Sequence, residues 1–212
     1  MIGFSFKDEK PVERFFTHLQ YMAKNGKFSP HDHGWGIYGL KDGHVVYHRS
    51  EKPVFDDSFP FVKLKTGIIH ARKASEHLPV SVLQIHPFID DSGKAFCHNG
   101  TVYDIPFDFI ESDTYSYFLA IKKFSSYEEL REKIADVAKN YRYTSMNFLM
   151  INKGDLIVYC GYSTNPDYYT LWYKNREGFV VCSEPMGDDY LPMENKTIFV
   201  VRDGEIINRL SL

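Results

Sequence analysis

The chain is short of cysteine, of net charge and of long apolar runs, and each shortage removes a class of function. Its three cysteines, Cys97, Cys160 and Cys182, are scattered through 212 residues and form no Cys-x-x-Cys pair. They are too few for a disulfide framework and are expected as buried thiols in a reducing compartment. A formal net charge of -3 gives no bulk electrostatic pull toward nucleic acid or an anionic membrane, so neither is expected as a partner. No apolar run reaches the roughly 18 to 20 residues of a membrane span. The N-terminus has no basic segment followed by an apolar one, as a secretory signal would. Internal repeats, low-complexity tracts and linkers are absent too. The expectation is one domain, residues 1–212, in the cytoplasm.

Aromatic residues, by contrast, are abundant: 17 Phe and 15 Tyr, a composition that suits a sheet-rich core. Residues 2–6 form a short apolar run suited to a strand. Val12, Phe15, Phe16, Leu19, Met22 and Ala23 then recur at helical spacing, with Pro11 placed as a first-turn proline and Gly26 as a C-terminal cap. Extended segments flank Lys41-Asp42-Gly43, a hairpin signal. Residues 66–70, 80–88 and 95–98 read as further strands, and 113–123 and 127–140 as helices. Strand-like segments at 147–152, 156–162, 169–173, 179–182, 197–201 and 206–210 complete the chain. Strands before and after a central helical pair predict an α+β fold of two antiparallel sheets with helices outside.

Chemistry is concentrated in polar residues at strand ends. Thr66–Ala71 drives an apolar strand into Arg72, whose guanidinium suits a carboxylate; alone, it equally suits a surface ion pair. Cys97-His98-Asn99-Gly100-Thr101 ends a strand in Asn-Gly. This is either a tight turn or an oxyanion hole made of the Asn99 amide and the Gly100 N–H. Ser112-Asp113-Thr114 opens a helix and reads as an N-cap, or as a carboxylate for a substrate ammonium group. Asp32-His33-Gly34-Trp35-Gly36 reads as a glycine-permitted bend under an indole.

The order and separation of these four stretches resemble the class II, or N-terminal-nucleophile, glutamine amidotransferases, and the small stand-alone members above all. His86-Pro87-Phe88, Ser145-Met146-Asn147-Phe148-Leu149 and Cys182-Ser183-Glu184-Pro185-Met186 extend the likeness over nearly the whole chain. The resemblance implies an αββα sandwich and hydrolysis of glutamine to glutamate and ammonia, with no cofactor. It implies Arg72 as the clamp for the glutamine α-carboxylate and Asp113 as the partner of its α-amino group. Asn99 and Gly100 are implied as the oxyanion hole.

One departure alters the expected activity. In that family a cysteine follows the initiator methionine, and its thiolate attacks the amide carbon once the methionine is removed. Here Ile2 stands in that place, with a side chain that can neither attack nor be acylated. A bulky second residue is also expected to leave Met1 attached. Cys97 is a poor substitute: if Asn99 faces the site, Cys97 lies two residues away on the same face, about 7 Å along the strand. Ser5 falls on the opposite strand face from Ile2. The expectation is a pocket for glutamine or a similar amino acid without glutaminase turnover. Two rivals stand beside it: an active amidohydrolase with another nucleophile, and a metal-dependent hydrolase using His31, Asp32, His33, His70, His86 and His98. Oligomeric state is unreadable from the sequence.

Overall fold

The computed structural model describes residues 1–60, 62–74, 80–107 and 112–212. The first half of the chain runs β1 (Ile2–Pro11), α1 (Glu13–Asn25), β2 (Trp35–Lys41), β3 (His44–Ser50), β4 (Lys63–Ala71), β5 (Phe88–Ile89) and β6 (Ala95–Asn99). The central helices are α2 (Asp113–Ile121) and α3 (Tyr127–Asn140). Then come β7 (Asn147–Asn152), β8 (Asp155–Cys160), α4 (Pro166–Tyr169), β9 (Trp172–Asn175), β10 (Phe179–Cys182), β11 (Leu191–Pro192), β12 (Thr197–Arg202) and β13 (Glu205–Ser211).

These strands form two antiparallel sheets. The first has the order β11-β9-β10-β1-β4-β2-β3, and the second β13-β12-β8-β7-β6-β5. Strand alternation explains how they stack. Ile2, Phe4 and Phe6 point to one side of β1 and pack with Phe15, Leu19 and Met22 of α1. Gly3 and Ser5 point to the other side, toward the second sheet. A Cβ on Gly3 would lie 3.1 Å from Leu149 Cδ1 and from Val181 Cγ1, so the sheets close tightly over a glycine. Between the sheets lie Ile68, Cys97, Leu149, Val158, Phe179 and Phe199. The outer face of the second sheet packs Phe96, Phe148, Ile157 and Ile198 against Tyr117, Phe118, Leu130 and Ile134 of α2 and α3. The layers are therefore α, β, β, α, as expected.

Differences from the sequence expectation are local. Pro11 does not open the helix; it ends β1, where it pairs with Lys63, and α1 begins at Glu13. Lacking an N–H, a proline is tolerated at the end of a strand as readily as in a first helical turn. Residues 80–88 are not one strand. A short 3-10 turn, Val82–Gln84, precedes the two-residue β5, and the Ser81 hydroxyl accepts from Leu83 N to cap the turn. Around 169–173, a helical turn with Pro166 at its start displaces the strand to Trp172–Asn175. The 41–43 hairpin forms as expected, with Asp42 and Gly43 both at positive φ.

Candidate functional site

The main cavity, about 320 Å3, opens where strand ends of both sheets meet. From the first sheet come Met1, His70, Ala71 and Arg72; from the second come His98, Asn99 and Gly100. Thr101 extends the β6 end, Ser112, Asp113 and Thr114 close it from the start of α2, and Leu19, Met22 and Ala23 close it from α1. Arg72, Asp113, Asn99 and Gly100, separated by up to 41 positions in sequence, thus line one space.

Each is held by a specific device. Arg72 stands just past β4, its N–H donating to Gly34 O (2.8 Å) and its carbonyl accepting from His33 N (3.1 Å). The residue is buried, 5% exposed, and its guanidinium donates to Gln84 Oε1 at 3.0 Å. Burial lowers its pKa, and the Asp113 carboxylate opposes that shift. The Asp113 carboxylate accepts from Val102 N at 2.9 Å, while Ser112 caps α2 by accepting from Tyr115 N. The N-cap reading of Ser112 and the cavity position of Asp113 are therefore compatible. Asn99 pairs with Asn147 at the end of β6. Gly100 has φ +141°, and a Cβ there would sit 2.0 Å from Ser145 O, so only glycine fits the turn.

The fourth stretch is placed differently. Trp35 is fully buried against α1 and donates from Nε1 to Asp57 Oδ2 at 3.0 Å; it does not line the cavity. His33 turns away, its Nδ1 accepting from Ala74 N at 2.8 Å; no residue of the stretch lines the cavity, though the preceding His31 does. The bend reading of Gly34 fits, since its φ is +96° and a Cβ would meet Ile85 Cδ1 at 2.5 Å.

The amino end of the chain is part of the cavity. The Met1 amino group donates to Ser183 Oγ at 3.2 Å, and Ser183 N donates to Met1 O at 3.1 Å. Burial lowers the pKa of that amine, with Cys97, Cys182 and Glu184 opposing. Ile2 is fully buried on the α1 side of β1 and does not line the cavity. Nor do the cysteines: burial pushes the thiols of Cys97 and Cys182 up to about 12 and that of Cys160 to about 11. Ser5 is buried too and accepts from Gly204 N. The hydroxyl beside the amine is therefore Ser183, which the sequence reading quoted only as part of a motif. Nothing in its spacing marked it, because the contact spans 182 positions.

Three histidines form the rest of the wall. His98 is clasped by Thr114 Oγ1 (3.0 Å) and Ser145 O (2.9 Å). His70 and His86 lie with ring centroids 4.4 Å apart, and Nδ1 of each is buried without a hydrogen-bond partner among the described residues. Among the described residues no three His, Cys, Asp or Glu side chains converge in a way that could hold a metal ion. His31, His70, His86 and His98 are all held below the ordinary histidine range, chiefly by burial, and His31 falls to about 4. A base with a depressed folded-state pKa binds fewer protons folded than unfolded. Stability should then be complete above about pH 6.5 and fall as pH drops below it, because the unfolded chain takes up the protons. A melting temperature that declines between pH 7.5 and 5, and declines less steeply in His86→Gln, is the expected result. An unchanged slope in that variant would remove His86 from the account.

No known family's sequence profile matches the chain, and no curated protein matches it. Solved structures do. Glutamine phosphoribosylpyrophosphate amidotransferase from B. subtilis, in complex with ADP and GMP, superposes over 99% of this chain with a TM-score of 0.70 at 18% identity. The chain spans only 48% of that protein's length. A predicted glutamine amidotransferase from Pseudomonas aeruginosa PA01 gives a TM-score of 0.64 at 18% identity, covering 98% of both chains. A glutamine aminotransferase class-II domain protein from Silicibacter pomeroyi gives 0.63 at 14%, covering 99% of this chain and 96% of that one. The chain has the class II glutamine amidotransferase-like fold.

Proposed function

We propose that this protein, as one 212-residue domain, binds glutamine or a similar amino acid in the main cavity and does not turn it over. The observation that carries this reading is the convergence of a cation, an anion and amide donors on one space, with no thiol among them. A zwitterionic amino acid needs that set. Arg72 takes the α-carboxylate, Asp113 takes the α-ammonium, and Asn99 and Gly100 face the side-chain carbonyl. Without a nucleophile those last two donors bind the ground-state amide and have no oxyanion to stabilise.

The test is one sample assayed twice. Glutamine should raise the melting temperature in a saturable way, and ammonia release should not exceed that of a protein-free control. Ile2→Cys is the complementary variant. Once Met1 is removed, residue 2 becomes the first of the chain and borders the space that Met1 fills. This variant should gain glutamine hydrolysis of at least ~100-fold over the wild type. If a folded, Met1-free Ile2→Cys protein releases no ammonia, the cavity is not a glutaminase pocket that has lost its thiol.

A second reading, an active amidohydrolase with a different nucleophile, is favoured by Ser183. Its hydroxyl is hydrogen-bonded to an amine that burial shifts toward the neutral, proton-accepting form. Ammonia release by the wild type that disappears in Ser183→Ala would establish this reading in place of the first.

A further inference from the structure

His98 stands where two parts of the polar wall of the main cavity are tied together. The residue is 2% exposed and sits on β6, immediately before Asn99 and Gly100. Its Nδ1 lies 3.0 Å from Thr114 Oγ1, and Thr114, also buried, follows Asp113 in the first turn of α2. Its Nε2 lies 2.9 Å from Ser145 O, the same atom that a Cβ on Gly100 would meet. A carbonyl only accepts, so Nε2 carries the ring proton. Burial keeps the ring neutral, which leaves a lone pair on Nδ1 and makes the Thr114 hydroxyl the donor to it. The bonds thus run from Thr114 through His98 to Ser145, with Asp113 beside one end and Gly100 against the other. Val102 N donates to Asp113 Oδ2 at 2.9 Å and ties the end of β6 to α2 a second time. The two elements also meet through Phe96 and Phe118, stacked with ring centroids 5.0 Å apart. Apolar contact is non-directional and a hydrogen bond is not, so the bonds set the register between them.

We propose that His98 is a positioning residue that selects the length of the bound amino acid. With Thr114 it fixes the separation between the Asp113 carboxylate and the Asn99 and Gly100 donors. Asp113 takes the α-ammonium and Asn99 and Gly100 face the side-chain carbonyl in the function proposed above, on which this role for His98 rests. Glutamine places one methylene more than asparagine between those two groups. A site whose polar ends are held at one separation rejects the shorter homologue, because a buried polar group is then left unpaired. Both ring nitrogens are occupied within the protein, so His98 acts through its neighbours and not on the ligand, although the residue lines the cavity.

Isothermal titration of the full chain with glutamine and with asparagine measures the selection. Wild type should prefer glutamine by about tenfold or more. Thr114→Val keeps the volume and removes the donor. It should lower glutamine affinity about fivefold or more and leave asparagine within about twofold, so that the preference largely disappears. Thr114→Ser keeps the hydroxyl and should return the preference to within about twofold of wild type. A merely structural role for the bond would weaken both ligands alike and leave their ratio unchanged. That result, in a variant that melts like wild type, would overturn the proposal and leave the reading of the cavity intact. A wild type that binds both amino acids equally would overturn it too. No binding of glutamine by wild type would instead overturn the reading of the cavity, and this role for His98 with it. Two-bond proton–nitrogen NMR of the histidine rings tests the relay without a ligand and serves if Thr114→Val fails to fold. His98, assigned by the signal lost in His98→Gln, should be the Nε2–H tautomer; the Nδ1–H tautomer would overturn the proposal.

Discussion

Gly100→Ala is expected to destabilise the protein by about 3–5 kcal/mol, a large part of the margin by which a domain of this kind is folded. Two costs add. The residue sits at φ +141°, a region that a side chain rarely enters, and its new Cβ would meet Ser145 O at 2.0 Å. Neither side can yield cheaply. Ser145 O also accepts from His98 Nε2 at 2.9 Å, and the next residue, Met146, donates its N–H to Gly161 O at 2.7 Å. Moving the Ser145 carbonyl would therefore strip a buried imidazole of one of its two partners. Gly43→Ala is the natural comparison. Gly43 is also at positive φ, +76°, but a Cβ there meets nothing within 4 Å, so only the conformational cost of about 1 kcal/mol applies. Urea melts of the two variants give both numbers. If Gly100→Ala falls within about 1 kcal/mol of Gly43→Ala, the close approach to Ser145 is not a real constraint.

Arg72→Ala should abolish measurable glutamine binding, with a loss of about 2–5 kcal/mol, or roughly 30- to 5,000-fold in Kd. Arg72 is buried and its guanidinium is fixed through Gln84, so a carboxylate bound as proposed would meet a cation already in place. Truncation would leave that carboxylate desolvated beside Asp113, a like charge. Arg72→Lys should fall between, because an ammonium keeps the charge but cannot offer two parallel donors. Isothermal titration with glutamine reads the affinity, and the ligand-free melting temperature reports separately on folding. Affinity in Arg72→Ala within threefold of wild type would mean that the α-carboxylate is held elsewhere.

What the sequence disclosed and what it hid follow from the range of the interactions involved. The layer order was legible, because alternation in β1 and the helical stripe of α1 are local patterns that a sandwich must satisfy. That Arg72, Asn99, Gly100 and Asp113 line one cavity was foreshadowed because each sits at a strand end or a helix start, and those positions announce themselves through glycines and caps. The roles of Pro11 and of residues 80–88 were not, since a proline suits a strand end as well as a helix start, and β-rich composition cannot distinguish a strand from a 3-10 turn. Trp35 belongs to one of the four stretches that carry the resemblance, but the pleat sends its indole to the α1 side, away from the cavity. Ser183 was hidden for the opposite reason. Its partner, Met1, precedes β1, while Ser183 itself follows β10, the neighbour of β1 in the sheet, and no window along the chain contains both residues.

The tight closure over Gly3 has a consequence for how the main cavity works. The cation at its rim belongs to one sheet and the amide donors belong to the other, so the distance between them is set by the thickness of the layer that separates the sheets. A ligand held at both ends as proposed would act as a gauge block across that layer. By linkage, whatever thickens the layer loosens the ligand, and a bound ligand resists thickening. Gly3→Ala, which adds one methyl group between Leu149 and Val181 and touches nothing in the cavity, is thus a control on the spacing of the grip from within the core.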